Sequence, residues 1–222
     1  MTKTWAATVC ALAIACVSQV TVAQEISYAL VNGLIFNGVD NKIIENATVY
    51  VVDGKIDRIV DSDADVPAGF TVIDLEQNYL MPGLIDAHTH IQALDQAERA
   101  LLSGATTVRT ASVPAYQDIA LRELVSNGNF AGPDVVAAGV YVTPKLGETV
   151  LADPRLSKVE GLVDTDDELR LLVAINADRG VDVIKTRATE RAGLPDTDPR
   201  KQVYSERQLR VIVDAAASHG LS

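Results

Sequence analysis

A regular alternation of strand-like and helix-like segments between residues 79 and 222 constrains the fold more than any other sequence feature. Short apolar runs typical of β-strands are each followed by a segment with one apolar and one polar face. The pattern predicts strands at residues 80–88, 106–109, 134–140 and 181–185, and helices at residues 95–103, 116–127, 166–178 and 206–219. Strands that alternate with helices in this way form parallel βα units.

The number of these units indicates the fold class. Residues 79–222 hold about four βα units, whereas a closed (β/α)8 barrel takes about 250 residues. We therefore predict an α/β fold in which residues 79–222 form the N-terminal part of a TIM-like barrel, incomplete after about four units. The last predicted helix ends at Gly220, directly before the place where a fifth strand would begin.

Sequence signals also define where the last two helices begin. Thr165 and Glu168 have the spacing of a capping box, and Ser205 is the predicted N-cap of the final helix.

The region before the barrel has a different pattern, with short β-rich runs and frequent turn signals. Asp53-Gly54 lies between two apolar runs, which is a strong hairpin signal. We predict a small β-sandwich over residues 24–78.

The first 23 residues have the order of regions typical of a secretory signal peptide. Lys3 precedes an apolar run of residues 6–17, and a polar stretch follows Ala23. This pattern predicts a secreted or periplasmic protein. A buried N-terminal helix and a lipid anchor on Cys16 are the alternatives. No later segment is apolar for long enough to cross a membrane.

Charge and cysteine content exclude several classes of site. The formal net charge is -11, with 19 Lys and Arg against 30 Asp and Glu, so the sequence lacks the basic face that nucleic acid or an anionic membrane would need. Both cysteines, Cys10 and Cys16, lie in the predicted signal peptide. A metal site in the mature chain must therefore use histidine, carboxylate or a modified side chain.

His88 and His90 form the strongest candidate metal site. They lie two positions apart at the end of a predicted barrel strand, so both side chains point to the same face. Active sites of barrel enzymes lie at this end of the strands. The alternative is a pair of ordinary exposed or core histidines, but two of the three histidines in the chain fall in this triplet.

Lys185 ends the fourth predicted strand on the face expected to point into the barrel. A lysine there is costly to bury unless it is paired or modified. The alternative is a lysine at the strand end that reaches solvent and pairs with Glu190. Arg109 and Arg187 also lie near strand ends, where surface ion pairs are favoured over substrate contacts. His219 is best explained by its position at a helix C-terminus.

Three blocks in order resemble the start of a metal-dependent amidohydrolase: LVNGLI at 30–35, NATVYVVDGKI at 46–56 and LMPGLIDAHTH at 80–90. The similarity is to the branch that holds imidazolonepropionase-like enzymes and prolidase-type dipeptidases. It covers only the N-terminal portion of such an enzyme.

The resemblance implies a β-sandwich beside a (β/α)8 barrel and a binuclear zinc site. It implies that His88 and His90 bind the more buried metal and that Lys185 is carboxylated and bridges two zinc ions. The histidines of strands five and six and the aspartate of strand eight would follow Ser222. Many relatives have an aspartate where this chain has Thr110.

The resemblance implies a hydrolase that cleaves carbon–nitrogen bonds in an amide, a small peptide or a cyclic amide through metal-activated water. We expect the 222-residue chain to be inactive alone. The alternative is a non-catalytic binding or structural protein of the same fold, and a deaminase is disfavoured because Lys185 indicates the binuclear branch. The predicted partner is a small molecule or short peptide, and the sequence leaves the oligomeric state open.

Overall fold

A computed structural model describes residues 27–40, 42–61, 65–193 and 195–222. The chain divides into two compact units, Met1–Pro82 and Gly83–Ser222. The predicted signal peptide and both cysteines lie outside the described residues. Within the described ranges, no helix has the length and apolar character needed to cross a membrane.

The described part of the first unit forms one mixed sheet. Its strands are β1 (Ser27–Phe36), β2 (Ile43–Val52), β3 (Lys55–Asp61), β4 (Thr71–Asp74) and β5 (Tyr79–Leu80). The order is β3-β2-β1-β4, and β5 pairs in parallel with β1. The sheet accounts for one layer, so the sandwich stays a prediction.

The hairpin predicted at Asp53-Gly54 is confirmed. It joins β2 and β3, which are antiparallel, and Val52 pairs with Lys55. Both turn residues have positive φ, 50° for Asp53 and 72° for Gly54, as a tight two-residue hairpin requires.

The second unit contains a parallel three-stranded sheet with helices between its strands. The strands β6 (Leu84–Thr89), β7 (Ala105–Thr110) and β8 (Asp134–Val136) lie in sequence order. The helices are α1 (Leu94–Leu102), α2 (Gln117–Ser126), α3 (Asp166–Asp178) and α4 (Glu206–Ser218). The predicted mixed α/β class is therefore confirmed, and each helix lies within one residue of its predicted bounds.

The capping signals were also correct. The Thr165 hydroxyl accepts a hydrogen bond from the Glu168 backbone, and the Glu168 carboxylate binds the Thr165 backbone in return. Ser205 and Gln208 make the equivalent pair at the start of α4. Helices α3 and α4 enclose the main core, whose fully buried members include Leu156, Leu169, Leu172, Ile175, Tyr204 and Ile212.

The third and fourth predicted strands are wrong in extent. β8 ends at Val136 rather than at residue 140, and residues 181–185 form no regular strand. Gly139 interrupts the third segment because its φ is 64°, and a Cβ there would lie 2.6 Å from Val181 Cγ1. The fourth segment still lies beside the third in space, because an isolated parallel bridge joins Val142 to Thr186 directly after the two segments.

Side chains supply the hydrogen bonds that regular strands would have made in these two segments. The Asp182 carboxylate accepts from the Ala137 backbone at 2.7 Å. The Asn176 amide both accepts from and donates to the Val140 backbone, at 3.1 Å in each direction. Backbone polar groups that are buried need such partners, so these contacts replace the missing ladder.

Candidate functional site

The end of β6 brings the two predicted metal ligands together. The His88 ring is edge-on to the His90 ring, with centroids 5.4 Å apart and an interplanar angle of 72°. Both side chains are exposed to solvent on one side of the second unit. The alternation of side chains along an extended backbone accounts for this pairing, as the spacing predicted.

His90 is held in one orientation by a backbone carbonyl. Its Nδ1 lies 2.8 Å from the Ser112 carbonyl oxygen, which can only accept, so Nδ1 carries the proton. In the neutral ring the free lone pair is then on Nε2. The Tyr141 hydroxyl is a second neighbour of Nδ1, at 3.3 Å. An imidazole fixed in this way by an outer partner is typical of a metal ligand.

The segment that holds this carbonyl has an unusual backbone. Ser112, Ala115 and Tyr116 have φ values of 80°, 51° and 57°. Within the described residues, the Ser112 Oγ, the Tyr116 hydroxyl and the Gln117 Oε1 are buried without a hydrogen-bond partner. Burial, with the nearby charge of Asp153, raises the pKa of Tyr116 to about 12. Non-glycine residues at positive φ concentrate at functional sites, although no pattern in the sequence pointed to these three.

Lys185 opens onto the same cavity as the two histidines. The cavity has a volume of about 540 Å³, and its lining residues are His88, His90, Gln92, Ser112, Pro114, Tyr141, Lys185, Thr186, Arg187, Ala188 and Arg191. The Lys185 carbonyl accepts from the Val142 backbone at 2.9 Å, which fixes the lysine beside the end of the sheet. The structure therefore brings the three predicted site residues to one cavity.

The predicted alternative for Lys185, an ion pair with Glu190, is not the arrangement found. Glu190 instead pairs with Lys201, at 2.7 Å. The hydrogen bond from Lys201 holds the pKa of Glu190 below its usual range. Lys185 as a whole is half-buried and lines the cavity.

Of the remaining sequence candidates, Arg187 lines this cavity, and the others lie outside it or next to it. The Arg109 Nε donates to the Ala87 carbonyl at 3.0 Å, which ties β7 to β6. The Thr110 hydroxyl donates to the Asp118 carboxylate at 2.6 Å. Asp118 was missed by the sequence reasoning, yet its carboxylate also accepts from the Ala138 and Gly139 backbones, both at 2.9 Å. His219 is the C-cap of α4, as predicted.

The donor set fits a metal ion in part. With a Zn–N distance of about 2.1 Å, two imidazoles on one tetrahedral ion have ring centroids roughly 5 Å apart. The observed separation of 5.4 Å agrees with this value. In the described part of the chain, however, no three His, Cys, Asp or Glu side chains converge. Lys185 could act as a further donor only in a modified form, because an ammonium group has no lone pair.

Comparison with protein families identifies the chain. The model of the amidohydrolase family matches residues 79–222, which include the histidine pair and Lys185. The chain belongs to the amidohydrolase family. The resemblance drawn from the three sequence blocks is thereby confirmed, and members of this family are generally metal-dependent.

The relatives of this amidohydrolase are longer proteins. Ochratoxinase from Aspergillus niger is 26% identical over 226 residues, which cover 83% of this chain and 47% of the relative. A shorter stretch of 86 residues is 43% identical to an adenine deaminase from Dehalococcoides mccartyi and covers 14% of that protein. The chain thus spans about half the length of the ochratoxinase it matches.

Solved structures show the same fold over most of the amidohydrolase chain. A proposed prolidase from Bifidobacterium longum is 30% identical, with a TM-score of 0.70 over 88% of this chain and 48% of that protein. A prolidase complexed with N-methylphosphonate-L-proline has a TM-score of 0.75 at 23% identity, which shows likeness of fold alone. The described residues therefore adopt part of the fold of amidohydrolase barrel proteins.

Proposed function

We propose that this amidohydrolase is the N-terminal part of a metal-dependent hydrolase that cleaves carbon–nitrogen bonds. The observation that carries the proposal is the pair of imidazoles, with Lys185, on one cavity at the end of a parallel sheet. Family membership and the names of the relatives, ochratoxinase and prolidase, support the same class of reaction.

In this proposal His88 and His90 would hold a first zinc ion, and a carbamate on Lys185 would supply oxygen ligands for the two zinc ions of the predicted binuclear site. The Lys185 ammonium first loses one proton, and the neutral Nζ then forms a bond to the carbon of carbon dioxide and loses a second proton, so that the side chain becomes an anionic carbamate. When bound, zinc supplies an activated water and polarises the substrate carbonyl.

The other residues of the site orient these groups. The Ser112 carbonyl accepts a hydrogen bond from His90 Nδ1. The lone pair of Nε2 therefore stays free to bind a metal ion. Tyr141 packs against His90, with centroids 6.2 Å apart, and limits the rotation of the ring. The substrate is an amide, a small peptide or a cyclic amide that fits a cavity of about 540 Å³.

The test is the zinc content of the 222-residue chain and of His88→Ala after dialysis, measured by mass spectrometry of the metal. We expect the chain to retain zinc and His88→Ala to lose it, because one imidazole and a lysine bind zinc far more weakly than two imidazoles and a carbamate. His219→Ala is the matched control, since it removes a histidine at the end of α4. Equal zinc in the chain and in His88→Ala would contradict the site.

A non-catalytic role for the chain by itself is the second candidate. It is favoured by the lack of a third His, Cys, Asp or Glu near the pair in the described ranges. An amide-hydrolysis assay on the protein isolated from its native source separates the two, because a binding protein would retain zinc without turnover. We further propose that residues 1–23 direct secretion to the periplasm or the medium, with a lipid anchor on Cys16 as the alternative. Release of residues 1–23, seen by N-terminal sequencing of the exported protein, would support secretion.

A further inference from the structure

Backbone contacts fix Lys185 on its C-terminal side. The Val142 backbone donates to the Lys185 carbonyl at 2.9 Å, and Val142 forms a parallel bridge with Thr186, the next residue. These contacts do not depend on any side chain, so a substitution elsewhere leaves them in place.

Residues 186–203, which we call the arginine hairpin, are held together by their own contacts. Thr189 pairs with Gln202 in an antiparallel bridge, and the Glu190 backbone donates to the Lys201 carbonyl at 2.9 Å. The chain that follows the candidate lysine ligand is therefore fixed by hydrogen bonds of its own backbone.

Arg187, in the arginine hairpin, stacks on a ring of the cavity wall instead of forming the predicted surface ion pair. Its guanidinium carbon lies 4.7 Å above the centroid of the Tyr141 ring. Across the residues that the structure describes, Arg187 forms no ion pair, and the nearby Glu190 is paired with Lys201. A cation–π contact of this kind adds a side-chain tie to the backbone contacts.

The N-terminal side of Lys185 depends on one carboxylate. The Asp182 backbone donates to the Ala137 carbonyl at 2.8 Å, and the Asp182 carboxylate accepts from the Ala137 backbone at 2.7 Å. The Val183 backbone shares the same carbonyl at a longer distance, 3.3 Å. Asp182 therefore binds both polar groups of Ala137, three residues before the candidate ligand.

Arg122, on α2, holds this carboxylate in its direction. Its Nη1 donates to the Asp182 Oδ2 at 2.7 Å, and the same oxygen accepts from Ala137. The Arg122 side chain is only 23% exposed, so its charge needs an acidic partner. Glu123, the other acid in reach, is 3.5 Å away and 60% exposed. Asp182 is therefore the main partner of the guanidinium.

We propose that Arg122 is a positioning residue for Lys185 and acts through Asp182. The Asp182 side chain is 41% exposed, so without the guanidinium its carboxylate is free to turn from Ala137 toward water. The start of the segment then loses one of its few ties, and a displacement of about 1 Å is enough to weaken a ligand. This inference rests on the proposed function, in which Lys185 becomes a carbamate.

The experiment observes the carbamate itself. The 222-residue chain is incubated with zinc and isotopically labelled bicarbonate, which supplies the carbon dioxide, and the carbamate carbon is detected by carbon NMR. Lys185→Ala identifies the signal, because it removes the amine. The zinc content of the same samples is measured after dialysis, and urea unfolding shows whether each variant is folded.

Arg122→Gln should lower the carbamate signal about fivefold, which is the factor expected for the loss of one hydrogen bond. The zinc content should fall less, because both imidazoles remain. Arg122→Lys keeps the charge and should restore part of the signal. Asp182→Asn is a second route to the same loss, since an amide oxygen still accepts from Ala137 but carries no charge for Arg122.

Arg99→Gln is the matched control. Arg99 lies on α1 and pairs with Asp95 at 2.7 Å, but both side chains are well exposed. An exposed pair of this kind contributes little to stability, so the carbamate signal should stay at the level of the unaltered chain.

The outcomes separate this inference from the hydrolase proposal. An equal carbamate signal in the unaltered chain and in Arg122→Gln would overturn the inference and leave the hydrolase proposal standing. A loss that Arg122→Lys does not restore, or that only follows a loss of folded protein, would also overturn it, because Arg122 would then support the fold alone. Zinc without any carbamate in the unaltered chain would overturn it while the histidine pair stands. Absence of zinc from the unaltered chain would contradict both.

Discussion

Strand β6 and residues 181–187 bring candidate ligands to the same cavity, but they are held in different ways. β6 is a regular strand with a parallel ladder to β7, yet its side chains are exposed, with Leu84 at 52% and Ile85 at 72%. Residues 181–187 lack a ladder, yet they run beside Val140 and Val142, which are fully buried. The regular strand is therefore the more exposed of the two segments, and the irregular segment is mostly half-buried beside a fully buried core.

The difference shows that hydrogen bonds from polar side chains can replace the backbone hydrogen bonds of a strand ladder. Asp118, Asn176 and Asp182 bind the backbone of residues 137–140 directly. Each contact joins elements that are far apart in sequence. We infer that the Lys185 side of the site depends on a few side chains, whereas the histidine side depends on many equivalent backbone bonds.

The largest effect is expected from Asp118→Ala. The substitution leaves the buried Gly139 backbone without its acceptor and removes the shorter of two hydrogen bonds from both the Thr110 hydroxyl and the Ala138 backbone. Unpaired buried groups are costly, so the free energy of unfolding in urea should fall by about 3 to 5 kcal/mol. Asp118→Asn, which keeps one acceptor oxygen, should lose less. A loss below about 1 kcal/mol for Asp118→Ala would show that these side-chain contacts do not replace a ladder.

Asn176→Ala is expected to have an intermediate effect. It removes both hydrogen bonds to the Val140 backbone in a fully buried place, and we expect a loss of about 2 kcal/mol in urea unfolding. Asn129→Ala is the matched control, since Asn129 is exposed after α2. If the two variants were equally stable, the irregular segments would have to be held by packing alone.

The smallest effect is expected on β6. Ile85→Thr replaces an exposed β-branched side chain with another, so the free energy of unfolding should change by less than about 0.5 kcal/mol. Val142→Thr, its buried counterpart, should cost about 1 to 3 kcal/mol because a hydroxyl loses water there. Thermal or urea unfolding of both variants measures the two losses of stability. A larger loss for Ile85→Thr than for Val142→Thr would contradict the expected difference between the exposed strand and the buried segment.

Features that depend on neighbours in sequence could be predicted. The four helices, the capping box of Thr165, the N-cap Ser205 and the Asp53-Gly54 hairpin follow from local patterns, and the pairing of His88 with His90 follows from the geometry of an extended chain. Lys185 lines the same cavity as the histidine pair, although its segment is not a regular strand.

Features that depend on long-range polar contacts could not be predicted. The apolar run of residues 134–140 reads as one strand because periodicity does not reveal that Asn176 and Asp182 bind its backbone. Tyr141 and Ser112 give no motif, and their roles follow only from where His90 lies. The choice of Glu190 between Lys185, Lys201 and the arginines is likewise a matter of three-dimensional placement.

The arginine hairpin has a consequence for how such a protein can diversify. Its bridge, its backbone hydrogen bonds and its Glu190–Lys201 pair lie within the hairpin itself. Arg187 and Arg191 project from it without a place in the hydrophobic core. Both arginines line the cavity, so mutations at these two positions would change its lining at little thermodynamic cost while the scaffold persists.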